Sequence, residues 1–396
     1  MFLYTGVNTY IIKEQVYMKR KMFNKNYILT VAAAVLFYTA SFMLNSVSGQ
    51  YSTQLGADKT MAGIVTAAFT VSSFFVRPFR GFYTDKRGRK QVLSAGGLLC
   101  LAAAAILVFT ESIFFLIVAR VLFGCGYSGF TTAGGTVVCD VSDKDSLADA
   151  ISFYGVTNVL SQAVAPGLAL WLYGKGFRIL AAAECGVLIA VIITGRLIKY
   201  DESRFINRNK KFALYEKSAL PSACVIFFFA CAIASVYAFV PMMTEERGIS
   251  GTGWFFAVSA AGLLVSRLFN SAFCRKYGKN TVFYSGAAMF AAGFAALIFA
   301  PNLLLLLVAA ALYGAGAGFV HPVLNTSAVS GCTAEKRGLA TGTFMMSQDL
   351  GMTAGALAWG YIGEKAGFRP VYAAVTFAAA VMAVVYFILL HKENKR

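Results

Sequence analysis

Apolar and polar positions along this chain fall into long blocks. Runs of about twenty mostly apolar residues are each closed by a short break that carries charge. A helix needs roughly 20 apolar residues to cross the hydrocarbon core of a bilayer. Division at the charged breaks predicts twelve such helices, near 28–47, 60–79, 91–110, 113–137, 147–173, 179–198, 218–242, 252–272, 282–300, 303–325, 339–362 and 370–390. The longest polar break, Tyr200 to Lys217, follows the sixth. The pattern therefore reads as an all-α membrane protein: a lead over 1–27, a six-helix half over 28–198, a central loop over 199–217, a second six-helix half over 218–390 and a tail over 391–396.

Composition agrees with that solvent. Of the 396 residues, 58% are hydrophobic and 13% charged, whereas a soluble domain is closer to half apolar and a quarter charged. The net charge of +17 is spread through the breaks rather than gathered in one polar domain. It is thus read as topology and not as a nucleic-acid surface. With alternate breaks assigned to opposite sides, 26 Lys and Arg lie on one side and 6 on the other, while Arg77, Arg120 and Arg267 fall within spans. The positive-inside rule then predicts a multi-pass protein of the plasma membrane with both termini cytoplasmic. The eight cysteines include no CxxC pair, and no P-loop, HExxH, dinucleotide loop or nucleophile motif is present. No enzyme activity, metal or cofactor is expected.

One stretch occurs twice. Arg77 to Lys90 reads RPFRGFYTDKRGRK and Arg267 to Asn280 reads RLFNSAFCRKYGKN, so that Arg77, Phe79, Lys86 and Gly88 recur 190 residues later. Gly124 and Gly126 recur as Gly314 and Gly316 at the same shift, and Gly176-Phe177-Arg178 recurs as Gly367-Phe368-Arg369 at 191. Two halves of like topology, related by an axis along the membrane normal, account for this pattern.

Gly81-Phe-Tyr-Thr-Asp85-Lys86-Arg87-Gly88-Arg89-Lys90 resembles the loop signature of the major facilitator superfamily, G-x-x-x-D-R/K-x-G-R-R/K, between the second and third spans. Arg120-Val-Leu-Phe-Gly124-Cys-Gly126 is similar to that family's fourth-span signature. Gly155 to Gly167, ending Ala165-Pro166-Gly167, partly resembles the fifth-span signature of its twelve-span drug:proton antiporter branch. The resemblance implies that Asp85 caps the N-terminus of the eleventh span near Arg337 to Ala340, where the helix dipole favours an anion. It further implies that Arg89 pairs with an acid at the end of the fourth span, for which Asp140 is the candidate. Gly81, Gly88 and Lys90 complete this latch. The second copy has Arg275 in place of the acid and Ser271 in place of Gly81, so acid-dependent closure is expected in the N-terminal half alone. The bland alternative is that Arg87, Arg89 and Lys90 serve only as positive-inside anchors.

Charge inside a span is costly and usually functional, which singles out Arg120, Asp349 and Glu184 as candidates for proton coupling. By resemblance, Arg120 acts on a coupling acid. Asp349 lies about ten residues into the eleventh span, near the midplane, on one face with Met346 and Thr353. An acid there can take up and release a proton as water access alternates. Glu184 is placed near the outer boundary, where an interfacial structural role competes. Polar stripes nominate the cavity: Tyr38, Ser41 and Asn45 in the first span; Tyr154, Asn158 and Gln162 in the fifth; Tyr237 in the seventh; and His321 with Asn325 in the tenth. Such residues also join helices without touching a solute.

The resulting expectation is a monomeric secondary transporter in the lipid bilayer that works by alternating access. It exports a small amphiphilic or drug-like solute in exchange for protons. A proton symporter importing a sugar or organic acid is the alternative within the fold, and a non-transporting sensor or scaffold is the alternative outside it.

Overall fold

The computed structural model describes residues 24–57, 59–143, 146–206, 208 and 211–390. The lead expected over 1–27, except its last four residues, and the tail at 391–396 lie outside them, as does the side chain of Tyr237. Twelve long helices follow in order: α1 Lys25–Gln54, α2 Lys59–Arg87, α3 Arg89–Phe109, α4 Ile113–Val141, α5 Leu147–Tyr173, α6 Phe177–Leu197, α7 Leu220–Glu246, α8 Thr252–Tyr277, α9 Lys279–Phe299, α10 Leu303–Ser330, α11 Arg337–Ala366 and α12 Phe368–Leu389. Each falls on one of the twelve expected spans. Side-chain caps start two of them, Asn24 accepting from the Tyr27 N–H and Asn302 from the Leu305 N–H, as an Asn at the N-cap should.

One boundary differs in a way that matters. The repeated basic stretch reads as a turn, yet α2 runs through it to Arg87 and α8 runs to Tyr277. Hydropathy stops where the bilayer stops, but backbone hydrogen bonding does not, and cations in a last turn suit the helix dipole. Gly81 and Asp85 therefore sit on a helix. The actual break is one residue, Gly88 (φ 108°), repeated as Gly278 (φ 81°), a conformation that L side chains avoid.

The halves share one packing plan. In the first, α4 lies against α2 and α3, α6 against α1 and α3, and α1 against α5; in the second, α10 packs on α8 and α9, α12 on α7 and α9, and α7 on α11. Each half buries its own apolar core, with Phe37 stacked on Phe130 in one and Phe229 on Phe290 in the other. The halves meet mainly through α2 with α11 and α5 with α8. Among the described residues nine helices are apolar enough to cross a membrane by composition alone. The remaining three, α2, α5 and α11, all belong to that inter-half surface.

The duplicated glycines of α4 and α10 set the close approach of their neighbours. A Cβ on Gly126 would stand 2.6 Å from the Gly96 carbonyl oxygen and from Cys100 Sγ, and one on Gly316 would stand 2.6 Å from the Gly286 carbonyl oxygen. Small residues give membrane helices this contact. Gly126→Val is expected to cost about 3 kcal/mol through overpacking and to lower the melting midpoint of the purified protein. Gly186→Ala, with nothing within 4 Å of the added Cβ, is expected to leave that midpoint unchanged.

Candidate functional site

At the basic end of the bundle, Asp85 is fully buried in the last turn of α2. Its Oδ1 accepts the Gly338 N–H at 2.8 Å and its Oδ2 the Leu339 N–H at 2.9 Å. The carboxylate thus occupies the N-terminus of α11, satisfying two backbone donors that no helix can satisfy internally. The crossing is tight on both sides: a Cβ on Gly81 would come to 3.1 Å from the Gly338 carbonyl oxygen, and one on Gly338 to 2.5 Å from Asp85 Oδ1.

Arg89, fully buried at the start of α3, joins five groups. Its Nε lies 2.8 Å from Asp140 Oδ2. Its Nη1 donates to the Thr84 and Phe205 carbonyls at 3.2 and 2.8 Å, and its Nη2 donates to the Ala334 carbonyl at 2.8 Å, with Asp85 Oδ1 at 3.7 Å. Asp140 is shared across the halves, because Arg337 of α11 reaches its Oδ1 at 3.4 Å and donates to the Cys139 carbonyl at 2.9 Å. The Lys90 N–H donates to Glu202 at 3.1 Å, and Lys90 Nζ donates to the Tyr200 carbonyl at 3.2 Å. The six residues nominated from the motif are therefore together. Sequence reasoning passed over Glu202, Arg337 and the short helical turn Ser203–Phe205, because a polar loop and a basic anchor look alike whether or not they are docked.

The second copy is corrected by the structure. Arg275, which takes the place of the acid, reaches Asp149 Oδ2 at 2.7 Å in the first turn of α5. The duplicated position thus also bridges the halves, with the charges exchanged between the two helices. This pair is partly open to solvent, with side-chain exposures of 42% and 26%, so it is weaker than the buried Asp85 contact.

Above this closed end lies a central cavity of about 310 Å³ bounded by both halves. Tyr38, Tyr154, Asn158, Gln162, His321, Asn325 and Asp349 all line it. Asn45, further along α1, does not, and neither do Arg120 and Glu184. The lining face of α11 is Thr341, Met345, Gln348, Asp349 and Met352 rather than the expected stripe through Met346 and Thr353. Helical spacing fixes which residues share a face but not which face packs inward, and the Thr353 hydroxyl instead donates to the Asp349 carbonyl.

Two lining arginines were placed within spans but given no role. Arg77 lies ten residues before the end of α2, about 15 Å deep, and is buried. Its Nε and Nη2 stand 2.8 and 2.7 Å from Asp349 Oδ2, while Nη1 donates to Thr131 Oγ1 at 3.2 Å and Nη2 also donates to Ser73 Oγ at 3.1 Å. The ion pair joins the halves at mid-depth. Asp349 keeps 24% of its side-chain surface accessible, so water entering the cavity reaches it. Arg267, the repeat of Arg77, lies on α8 against α5 at Gly155, where any Cβ would overlap its guanidinium. Recurrence of an arginine inside two spans was the signal that could have found both.

Arg120 and Glu184 form a separate buried site inside the first half. Arg120 donates to the Val65 and Thr66 carbonyls at 3.3 and 3.4 Å and sits over the Phe69 ring at 4.8 Å. Glu184 is fully buried rather than interfacial, because α6 packs against α1 and α3. Its carboxylate oxygens have no hydrogen-bond partner among the described residues, and Arg120 is near enough to act on it electrostatically.

A second space of about 470 Å³ opens between α5, α7, α8 and α10, walled by Val159, Pro166, Val236, Phe256, Leu263 and Tyr313. It shares Val159, Gln162, Leu263 and Tyr313 with the central cavity. Among the described residues no group of three or more His, Cys, Asp or Glu is placed to hold a metal.

A family model described as Major Facilitator Superfamily matches residues 30–252 and again 222–396. The staphylopine export protein of Staphylococcus aureus is 22% identical over 390 residues, covering 92% of this chain and 95% of its own length. Multidrug resistance protein 2 of Bacillus subtilis is 22% identical over 182 residues, 45% of this chain and 46% of its own. Among solved structures, the transporter FucP in the outward conformation aligns with a TM-score of 0.78 at 14% identity, over 93% of this chain and 98% of its own.

Proposed function

Because this chain belongs to the Major Facilitator Superfamily and is a multi-pass membrane transporter, we propose that it exports a small amphiphilic solute by alternating access, driven by protons. The basic end faces the cytoplasm of a plasma membrane, both termini lie on that side, and the monomer is the working unit. Two relatives named for staphylopine export and multidrug resistance support the direction of transport. The observation that carries the coupling is the Arg77–Asp349 pair, which ties the halves together in the cavity the solute would occupy.

In this reading the ion pair and the basic-end latch both hold in the state closed to the cytoplasm. Water entering from the far side protonates Asp349, the attraction to Arg77 is lost, and α2 and α11 are free to part. The Asp85 cap on α11 and the Asp140 bridge to Arg337 then open, exposing the cavity to the cytoplasm. Proton release and solute entry there re-form the pair and reset the carrier. Arg120 and Glu184 lie outside this path and act on it through the packing of α4 on α2.

Everted membrane vesicles acidified inside are expected to accumulate a transported solute at least about tenfold over vesicles treated with nigericin, an ionophore that collapses the pH gradient. Accumulation that persists without the gradient would remove proton coupling. Solute that leaves acidified vesicles instead of entering them would reverse the assigned direction.

A further inference from the structure

We infer that the outward face of α2 at the basic end binds one anionic phospholipid, its phosphate held between Arg80 and Arg87 and its acyl chains lying along Phe79 and Phe75. The site is separate from the solute cavity and independent of the direction of transport.

Phe75, Phe79, Tyr83 and Arg87 step by four along α2 and are all exposed. On a membrane helix such a ridge faces acyl chains and, at its end, headgroups. Arg80 stands beside the ridge, three residues before Tyr83 and seven before Arg87, on the same side of the helix. The guanidinium of Arg87 folds back over the Tyr83 ring at 5.1 Å, toward Arg80.

Arg80 differs from an ordinary anchoring arginine in two respects. Long basic side chains near the end of a span usually snorkel to water, but the stem of Arg80 is packed on α4. A Cβ on Gly129 would lie 3.3 Å from Arg80 Cδ, 3.4 Å from its Nε and 3.6 Å from the Val92 carbonyl oxygen of α3. The side chain is thereby kept where α2, α3 and α4 meet, about 10 Å before the end of α2. Its Nε, moreover, is enclosed without a hydrogen-bond partner. Among the described residues no acid pairs with Arg80 or Arg87, nor with Lys86, whose Nζ lies over the Phe82 ring at 5.3 Å. The acids of this end are engaged elsewhere: Asp85 on α11, Asp140 between Arg89 and Arg337, Glu202 on the Lys90 N–H and Glu216 beside Lys336.

Cations at the edge of the hydrocarbon need a counter-charge, and the bilayer can supply one as phosphate, which matches the arginine fork in two hydrogen bonds. A zwitterionic headgroup would add an ammonium to a cluster that already holds three cations. An anionic headgroup adds none, and that difference selects it.

Lipids of one acyl composition and different headgroup test this on the purified full-length protein: dioleoyl phosphatidylglycerol, phosphatidylethanolamine and phosphatidylcholine, with inorganic phosphate as the anion without chains. Phosphatidylglycerol is expected to raise the melting midpoint most. Native mass spectrometry is expected to show one molecule of it retained at least about tenfold more strongly than phosphatidylcholine. Arg80→Gln combined with Arg87→Gln is expected to abolish that preference, and Arg87→Gln alone, at an exposed position, to reduce it. Arg196→Gln removes an exposed cation from the last turn of α6 and is expected to leave the preference intact. Lipid-free midpoints report separately on the folding of each variant. Equal effects of the three lipids, a preference that survives the double substitution, or an equal loss in Arg196→Gln would overturn the site. Stabilisation by inorganic phosphate equal to that by phosphatidylglycerol would overturn the lipid as its occupant.

Discussion

Arg77→Ala is expected to stop transport and to destabilise the protein, and adding Asp349→Asn is expected to recover the stability without the transport. The single variant leaves a carboxylate among Met345, Met352 and the aromatic lining with no cation facing it, and breaking a buried pair by removing one partner costs about 3–5 kcal/mol. The exposure of Asp349 to the cavity, 24% of its side chain, places the cost toward the lower end. In the double variant neither member is charged, so the penalty falls to that of an imperfect polar contact, roughly 1 kcal/mol. Transport does not return because nothing remains that differs in charge between the two proton states. Melting midpoints and vesicle flux measured on the same preparations separate the two effects. Normal pH-driven flux in Arg77→Ala would mean that the pair holds helices together and does not couple protons. Asp349→Asn alone should keep the fold and lose the dependence on the gradient, since Arg77 retains Thr131 and Ser73 as partners.

The second large effect is expected at the basic end. Asp85→Asn is nearly isosteric, but an amide offers one acceptor where the Gly338 and Leu339 N–H groups require two. Its NH₂ group then meets a backbone donor, and the full charge that suits the α11 dipole is gone. A loss of about 1–3 kcal/mol shifts the balance between closed and open states by roughly 5- to 150-fold. Spin labels replacing Arg87 and Lys336, both exposed and on opposite halves, should report longer distances in Asp85→Asn than in the parent. An unchanged distance distribution together with an unchanged transport rate would reduce the motif to a membrane anchor. The Asp149–Arg275 pair is expected to matter less, by up to about 1 kcal/mol, because it is solvent-exposed. Exchanging its charges, Asp149→Arg with Arg275→Asp, is expected to restore whatever either single change loses.

The fold was legible because hydropathy reports the solvent each segment faces. Every one of the twelve runs became a helix, and the repeats at 190 and 191 became matched packing: Gly126 and Gly316 make equivalent contacts, and Gly88 and Gly278 make equivalent breaks. The basic-end residues were legible for a different reason. Asp85 and Arg89 belong to a dense motif in which charge, glycine and spacing all constrain one another.

The cavity was only half legible. Tyr154, Asn158 and Gln162 step by four on one helix, and a stripe of that kind shows without any partner. The partner of Asp349 did not show, because Arg77 lies 272 residues away and no local pattern links the two. Arg120 was drawn into the same group as Asp349 because both are charges within spans and because the fourth-span signature implies that its arginine acts on a coupling acid. The packing of α4 and α6 puts Arg120 with Glu184 instead.

The sequence by itself thus determined the twelve spans, the duplication, the family and the composition of the basic-end motif. All of these are written in local periodicity or in short dense patterns. Only the tertiary structure decided which face of α11 turns inward, that Arg77 rather than Arg120 meets Asp349, that Arg275 bridges to Asp149, and that Arg267 packs against Gly155 of the other half. Those outcomes depend on how helices from distant parts of the chain rotate and pack against each other. That phase is fixed by side-chain fit across the whole bundle, not by any one segment's own pattern.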